Sequence, residues 1–121
     1  MHSTASDGSR APADVVRAAK QARLAAIALT DHDSVAGVAE ARVAGEELGV
    51  RVITGVELSA VEGETETHLL GLHLRDASLL ERGLGELREM RTRRAEQIVQ
   101  RLNGLGVQVA MSAVLAQAGT G

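Results

Sequence analysis

The chain has 121 residues, a formal charge of −3, 45% hydrophobic and 24% charged residues, the size and balance of one globular domain. It contains no Phe, Tyr, Trp or Cys, which excludes a base-stacking surface for single-stranded nucleic acid, a disulfide partner and a thiolate metal site. The negative balance supplies no basic field for DNA or RNA, and no apolar run approaches the roughly 20 residues of a membrane span. The first residues lack the basic-then-apolar order of a signal peptide, so a cytoplasmic location is expected.

In chain order, residues 13–23 predict a first helix, with Pro12 placed where the first helical turn tolerates it. Residues 25–29 are a short apolar run that reads as a strand buried on both faces. The run stops at Thr30-Asp31-His32-Asp33-Ser34, where Asp33 or Ser34 is expected to cap a second helix reaching about Leu48. Gly49 follows as its stop. Residues 50–53 predict the next strand, 57–60 another short one, 62–65 a turn, and 67–74 a further strand. Strand and helix in alternation argue for a parallel α/β sheet or barrel, whose chemistry gathers in loops at the carboxyl ends of the strands. Residues 77–105 read as one long helix or a broken pair, with Gly83 and Gly85 as the possible breaks. Leu80, Leu84, Leu87, Ile98, Leu102 and Leu105 form a stripe at helical spacing, interrupted by Arg91 and Arg94. Two arginines in an apolar stripe need an anion, either a core carboxylate or a substrate phosphate, unless the helix emerges there into solvent.

The acidic and basic side chains are unevenly spread. Up to residue 74 there are six basic and eleven acidic groups, and beyond it seven arginines and five acids. The acidic part holds the candidate ligands: His2 and Asp7 in one polar loop, His32 between two aspartates at a strand end, and Glu57 and His68 on or beside adjacent strands. Imidazole and carboxylate together make an open site for a hard or borderline dication, which lowers the pKa of bound water and braces phosphoryl oxygens. Asp31 and Asp33 are expected to support His32 through its second ring nitrogen, or, for Asp33, to cap the helix. His73, five residues from His68, alternates to the other face of the strand and is left out.

His2-Ser3-Thr4-Ala5-Ser6-Asp7-Gly8, Leu29-Thr30-Asp31-His32-Asp33, Gly55-Val56-Glu57 and His68-Leu69-Leu70-Gly71 together resemble the successive motifs of the PHP (polymerase and histidinol phosphatase) domain family. The region from Arg88 to Leu102 further resembles its subgroup of 3',5'-nucleoside bisphosphate phosphatases and 5'-3' exoribonucleases. The resemblance implies an α/β fold, part of a distorted (β/α)7 barrel over residues 1–76, followed by the start of a helical insertion over 77–121. It implies a centre of up to three manganese, zinc or iron ions with His2, Asp7, His32, Glu57 and His68 as ligands. Glu57, bridging two ions, and Asp31, beside His32, are then the candidate catalytic residues, and Arg91 and Arg94 the phosphate contacts. The substrate implied is a phosphorylated small molecule, a nucleotide or a short RNA, with a metal-held hydroxide attacking phosphorus in line.

The family opens on a strand and His-x-His, whereas here Met1 occupies the middle position. Its later Ala-His-Pro-like and Asp-x-His motifs are not found. The chain is therefore expected to be an N-terminal fragment whose parent is the enzyme and which alone has little activity. A non-catalytic PHP scaffold and a histidinol-phosphatase-like enzyme are the alternatives.

Overall fold

Helices and strands alternate in the first half of the computed structural model, which describes residues 1–63 and 65–118. Helix α1 (Pro12–Gln21) opens on proline, which has no N–H to leave unbonded in a first turn. Its buried residues Pro12, Val15, Val16 and Ala19 recur at three- and four-residue spacing. The three hydrophobic ones after the proline pack with Ile27 and Leu29 of β1 (Ala26–Leu29) and with Ala41 and Ala44 of α2 (Val38–Leu48). β1 is buried through Ile27 and Leu29, while Ala26 is exposed. The expected burial on both faces is thus corrected: the alanines lengthen the apolar run, but only every second side chain turns toward the helices.

Helix α2 starts later than expected. Its N-cap is Gly37, with no side-chain cap, because Ser34 bonds the nearby Ala36 N–H (3.3 Å) and Asp33 is engaged by β2 (Arg51–Glu62). Gly49 ends the helix at φ +67°, the left-handed geometry that favours glycine.

β2 is a single strand of 12 residues where the sequence suggested two short ones. It changes partner midway: Arg51–Thr54 pair parallel with β1, and Gly55–Glu62 pair antiparallel with β3 (Thr65–Leu72). The sheet is therefore mixed, in the order β1-β2-β3, and not parallel throughout. A connection as short as that between Glu62 and Thr65 can only return a strand antiparallel, since a parallel return needs a crossover. Gly63 sits in this turn at φ +63°, and residue 64 of the expected turn lies outside the described residues.

α3 (Ala77–Gly104) runs unbroken through Gly83 and Gly85, with Asp76 capping it by accepting from the Leu79 N–H (3.0 Å). Leu84, with Leu80 and Leu87 beside it, packs on Val35, Val38 and Val56 in a second core. The stripe is buried only at that end. Farther along, Val99 is buried in place of Ile98, which is 51% exposed, and Leu105 is 74% exposed. α4 (Met111–Ala118) follows. Among the described residues no helix is long and apolar enough to cross a membrane.

Candidate metal centre

Three backbone connections bring the candidate ligands together. The Met1 nitrogen donates to the Ala28 carbonyl (3.0 Å) and the Thr30 hydroxyl (2.9 Å), and the Thr30 N–H donates to the Met1 carbonyl (2.8 Å). His2 is thereby laid beside the end of β1. On the other side, the parallel register of β1 and β2 reappears past the strand end as a single bridge between His32 and Glu57. Its bonds run from Asp33 N–H to the Glu57 carbonyl (2.9 Å) and from Glu57 N–H to the Asp31 carbonyl (3.1 Å). His68 is paired with Ser59, two residues from Glu57 and on the same face of the sheet.

Glu57 is the hub of the resulting cluster. Its Oε1 lies 2.6 Å from His68 Nδ1 and 3.9 Å from His32 Nε2, and its Oε2 lies 3.1 Å from His2 Nε2. Asp7 closes the other side, with Oδ1 3.1 Å from His2 Nδ1 and Oδ2 3.9 Å from His32 Nε2. The His2 and His32 rings are 4.7 Å apart and the His32 and His68 rings 5.0 Å. All five candidate ligands thus meet at one place.

The Glu57 carboxyl is held below the usual carboxylate range, first by the hydrogen bond to His68 and then by the His32, His2 and His68 charges, against partial desolvation. For Asp7 desolvation is the largest single influence and raises the pKa. Its own backbone N–H, the His2 and His32 charges and the Ser6 hydroxyl together outweigh it, so the net shift is downward. A carboxyl whose pKa is lowered on folding stabilises the folded state fully above its unfolded pKa, and that contribution disappears as pH falls through the lowered value. Carbon-detected titration of the metal-free protein should therefore place the Glu57 midpoint below the usual carboxylate range. A midpoint at or above that range would remove the His68 pairing.

The two aspartates beside His32 do not serve it as expected. Asp31 is buried and accepts from Ser3 N–H (2.5 Å), Ser3 Oγ (2.7 Å) and Ser6 Oγ (2.7 Å), so it fastens the loop that carries His2 and Asp7. The loop is also tight: a Cβ on Gly8 would stand 2.6 Å from the His2 carbonyl carbon and oxygen. Asp33 faces β2 and α3. Among the described residues His32 Nδ1 is left buried without a hydrogen-bond partner, as is His2 Nδ1, whose approach to Asp7 falls outside hydrogen-bond alignment.

Arg91 Nη2 forms an ion pair with Asp33 Oδ2 (2.6 Å) and donates to Ser59 Oγ (2.8 Å), and its side chain lines a cleft of about 280 Å3 with Asp7, His32, Ser59 and His68. Of the two expected anions, the structure supplies the core carboxylate. Arg94 is exposed and is not among the residues lining this cleft. Sequence reasoning missed Ser3, Ser6, Ser59 and Arg88, the last of which bonds the Asp33 carbonyl (2.8 Å) and Glu81. Arg88 lies one helical turn from Arg91, and that spacing was the available signal. A larger cleft of about 350 Å3, bounded by α2 and the start of β2, contains no histidine.

One nitrogen from each of His2 and His32 and one Glu57 oxygen lie within 4.8 Å of one another. Ligands bonded at roughly 2.0–2.2 Å to one tetrahedral ion stand about 3.4 Å apart. The 3.9 Å separations about His32 are too long for hydrogen bonds yet close to this spacing. Nitrogen and carboxylate donors without sulfur suit zinc, manganese or iron. The residues present therefore fit a divalent metal.

A family model described as PHP domain matches residues 1–108. The chain is 38% identical over 108 residues to 3',5'-nucleoside bisphosphate phosphatase of Chromobacterium violaceum, covering 88% of this chain and 38% of that protein. It is 36% identical over 111 residues to 5'-3' exoribonuclease of Haemophilus influenzae, covering 88% of this chain and 39% of that protein. A crystal structure of a Bifidobacterium adolescentis protein assigned as a metal-dependent phosphoesterase superposes with a TM-score of 0.84 at 33% identity, over 99% of this chain and 42% of that one. The chain spans about two fifths of the length of these relatives.

Proposed function

The chain belongs to the PHP domain family, and on that premise we propose that it works as a metal-dependent phosphoesterase on a nucleotide phosphate, either a nucleoside bisphosphate or a short RNA. The observation that carries this reading is the meeting of His2, His32 and Glu57 within 4.8 Å, in a protein that also sets Arg91 and His68 in one cleft. His2, Asp7, His32, Glu57 and His68 would hold the ions, with Glu57, in contact with three histidines, suited to bridge two of them. A divalent ion there supplies Lewis acidity toward a phosphoryl group and a lowered pKa for water. The chain's own side chains do the rest: Glu57 and Asp7 balance the metal charge, Arg91 binds the phosphate, and Asp31 keeps the His2–Asp7 loop in place. Arg94, three residues along α3, is its candidate partner on a longer substrate.

The related phosphatase of Chromobacterium violaceum acts on 3',5'-nucleoside bisphosphates and the related nuclease of Haemophilus influenzae on RNA, so these are the substrates to try. Phosphate release from a nucleoside bisphosphate by a full-length version, followed with and without Mn2+, tests the reading. Turnover should require Mn2+ and vanish in Glu57→Ala. Turnover that survives either change sinks the metal mechanism, and a full-length protein that is inactive and purifies without metal gives the fold to a scaffold role.

A further inference from the structure

Asp33 is 1% exposed and adopts φ +45°, a left-handed backbone that aspartate tolerates better than most residues. From that backbone its polar groups reach β2 and α3 at once. Its N–H donates to the Glu57 carbonyl (2.9 Å), and its Oδ1 accepts from the Ser59 N–H (3.2 Å). Its Oδ2 pairs with Arg91 Nη2 (2.6 Å), and its carbonyl accepts from Arg88 Nη1 (2.8 Å). A buried carboxylate without its cation would be costly, so the Asp33–Arg91 geometry is strongly determined. A left-handed backbone at a non-glycine residue persists where the surrounding contacts over-determine it, as these do at Asp33.

The guanidinium is held but not used up. Arginine offers five N–H donors. The ion pair with Asp33 and the hydrogen bond to Ser59 both use Nη2, and Nε and Nη1 have no protein partner among the described residues. The side chain is 51% exposed and lines the cleft that holds His32 and His68. Attachment of α3 is already provided by Leu84 against Val56 and by Arg88 on the Asp33 carbonyl, so docking alone leaves the Arg91 arrangement without a purpose.

We propose that Asp33 is a positioning residue. It holds Arg91 at the cleft with donors free for an oxyanion, and it sets that cation's place relative to Glu57 through the same backbone. The identity of the oxyanion as a phosphate rests on the phosphoesterase reading, and the positioning does not.

Asp33→Asn keeps the shape and an acceptor for Ser59 while removing the charge that faces Arg91. Side-chain nitrogen NMR of the ligand-free protein reads the positioning directly: the Arg91 guanidinium should rotate slowly in the parent chain and become as mobile as that of Arg94 in the variant. An Arg91 that is equally restrained in both, or already mobile in the parent, overturns the proposal. Inorganic phosphate, titrated in the presence of Zn2+, reads the consequence. Its affinity should fall about tenfold or more in Asp33→Asn, as expected for a lost charge-assisted contact. It should fall likewise in Arg91→Lys, and Asp33→Asn should add nothing to Arg91→Ala. Additive losses overturn the coupling. If the parent chain binds no phosphate while Asp33→Asn still frees Arg91, the phosphoesterase reading fails and the positioning stands. Should Asp33→Asn not fold, Ser59→Ala leaves the Asp33 ion pair in place and should keep Arg91 restrained, whereas an Arg91 as mobile there as Arg94 assigns the positioning to Ser59 and overturns the proposal.

Discussion

Glu57→Gln is expected to remove tight divalent-metal binding and leave the chain folded. The carboxylate lies against three histidines, 2.6 Å from His68, 3.1 Å from His2 and 3.9 Å from His32. Glutamine fills the same volume but brings no charge and turns an N–H2 donor toward one of these rings. The backbone is untouched: residue 57 still pairs with Leu70 and still bridges Asp31 and Asp33. Losing a hydrogen bond that merely supports a ligand costs 10–100-fold in metal affinity, so losing this central ligand should cost more than about 100-fold. Calorimetric titration with Zn2+ or Mn2+ measures it, with circular dichroism as the folding control. His68→Ala should lose less, because His68 is 42% exposed and stands outside the three residues whose ligand atoms all lie within 4.8 Å of one another. Affinity within about threefold of the parent in Glu57→Gln would remove this residue from the centre and the bridging role with it.

The sequence showed the ligand types better than the structure around them. The meeting of His2, Asp7, His32, Glu57 and His68 was legible because histidine and carboxylate in a cysteine-free chain, most of them near strand ends, made a set plausible and the resemblance to the PHP motifs made it specific. The start of α1 at Pro12 and the stop of α2 at Gly49 were legible for local reasons, a missing N–H and a left-handed backbone. The parallel sheet was misread although the turn expected at residues 62–65 already contradicted it, since so short a link admits only a hairpin. Joining β2 into one strand required knowing that β1 hands it to β3 at Thr54 and Gly55, a tertiary fact with no local trace. The role of Asp33 was hidden for the same reason. Its partners lie at Ser59, Arg88 and Arg91, and nothing in the string Thr-Asp-His-Asp-Ser distinguishes a helix cap from a junction of distant segments. Ser3, Ser6 and Ser59 carry no signal at all as loop and strand serines; only the buried Asp31 carboxylate to which Ser3 and Ser6 donate, and the Arg91 guanidinium that donates to Ser59, give them a purpose.

Asp31→Ala should damage both stability and the metal centre, and the second loss should exceed what the first explains. Asp31 is 2% exposed and accepts three hydrogen bonds, from Ser3 N–H, Ser3 Oγ and Ser6 Oγ. Alanine leaves these donors facing a void, at a cost of about 1–3 kcal/mol for each one that stays unsatisfied. Water entry and rotation of the serine hydroxyls recover part of this, so a net loss of roughly 3–5 kcal/mol is expected, a large share of the 5–15 kcal/mol typical of a domain. The main chain of Asp31 still accepts from Glu57 N–H, so the His32–Glu57 bridge survives. The loop carrying His2 and Asp7 does not keep its anchor. Metal titration well below the melting temperature should therefore show weakened binding in a chain that remains folded, with His32 and Glu57 retained and His2 and Asp7 released. Urea unfolding and hydrogen exchange at residues 3–8 separate the two effects. Loss of stability with full metal affinity would mean that the loop finds its place without Asp31; unchanged stability would mean that the buried serine contacts do not form.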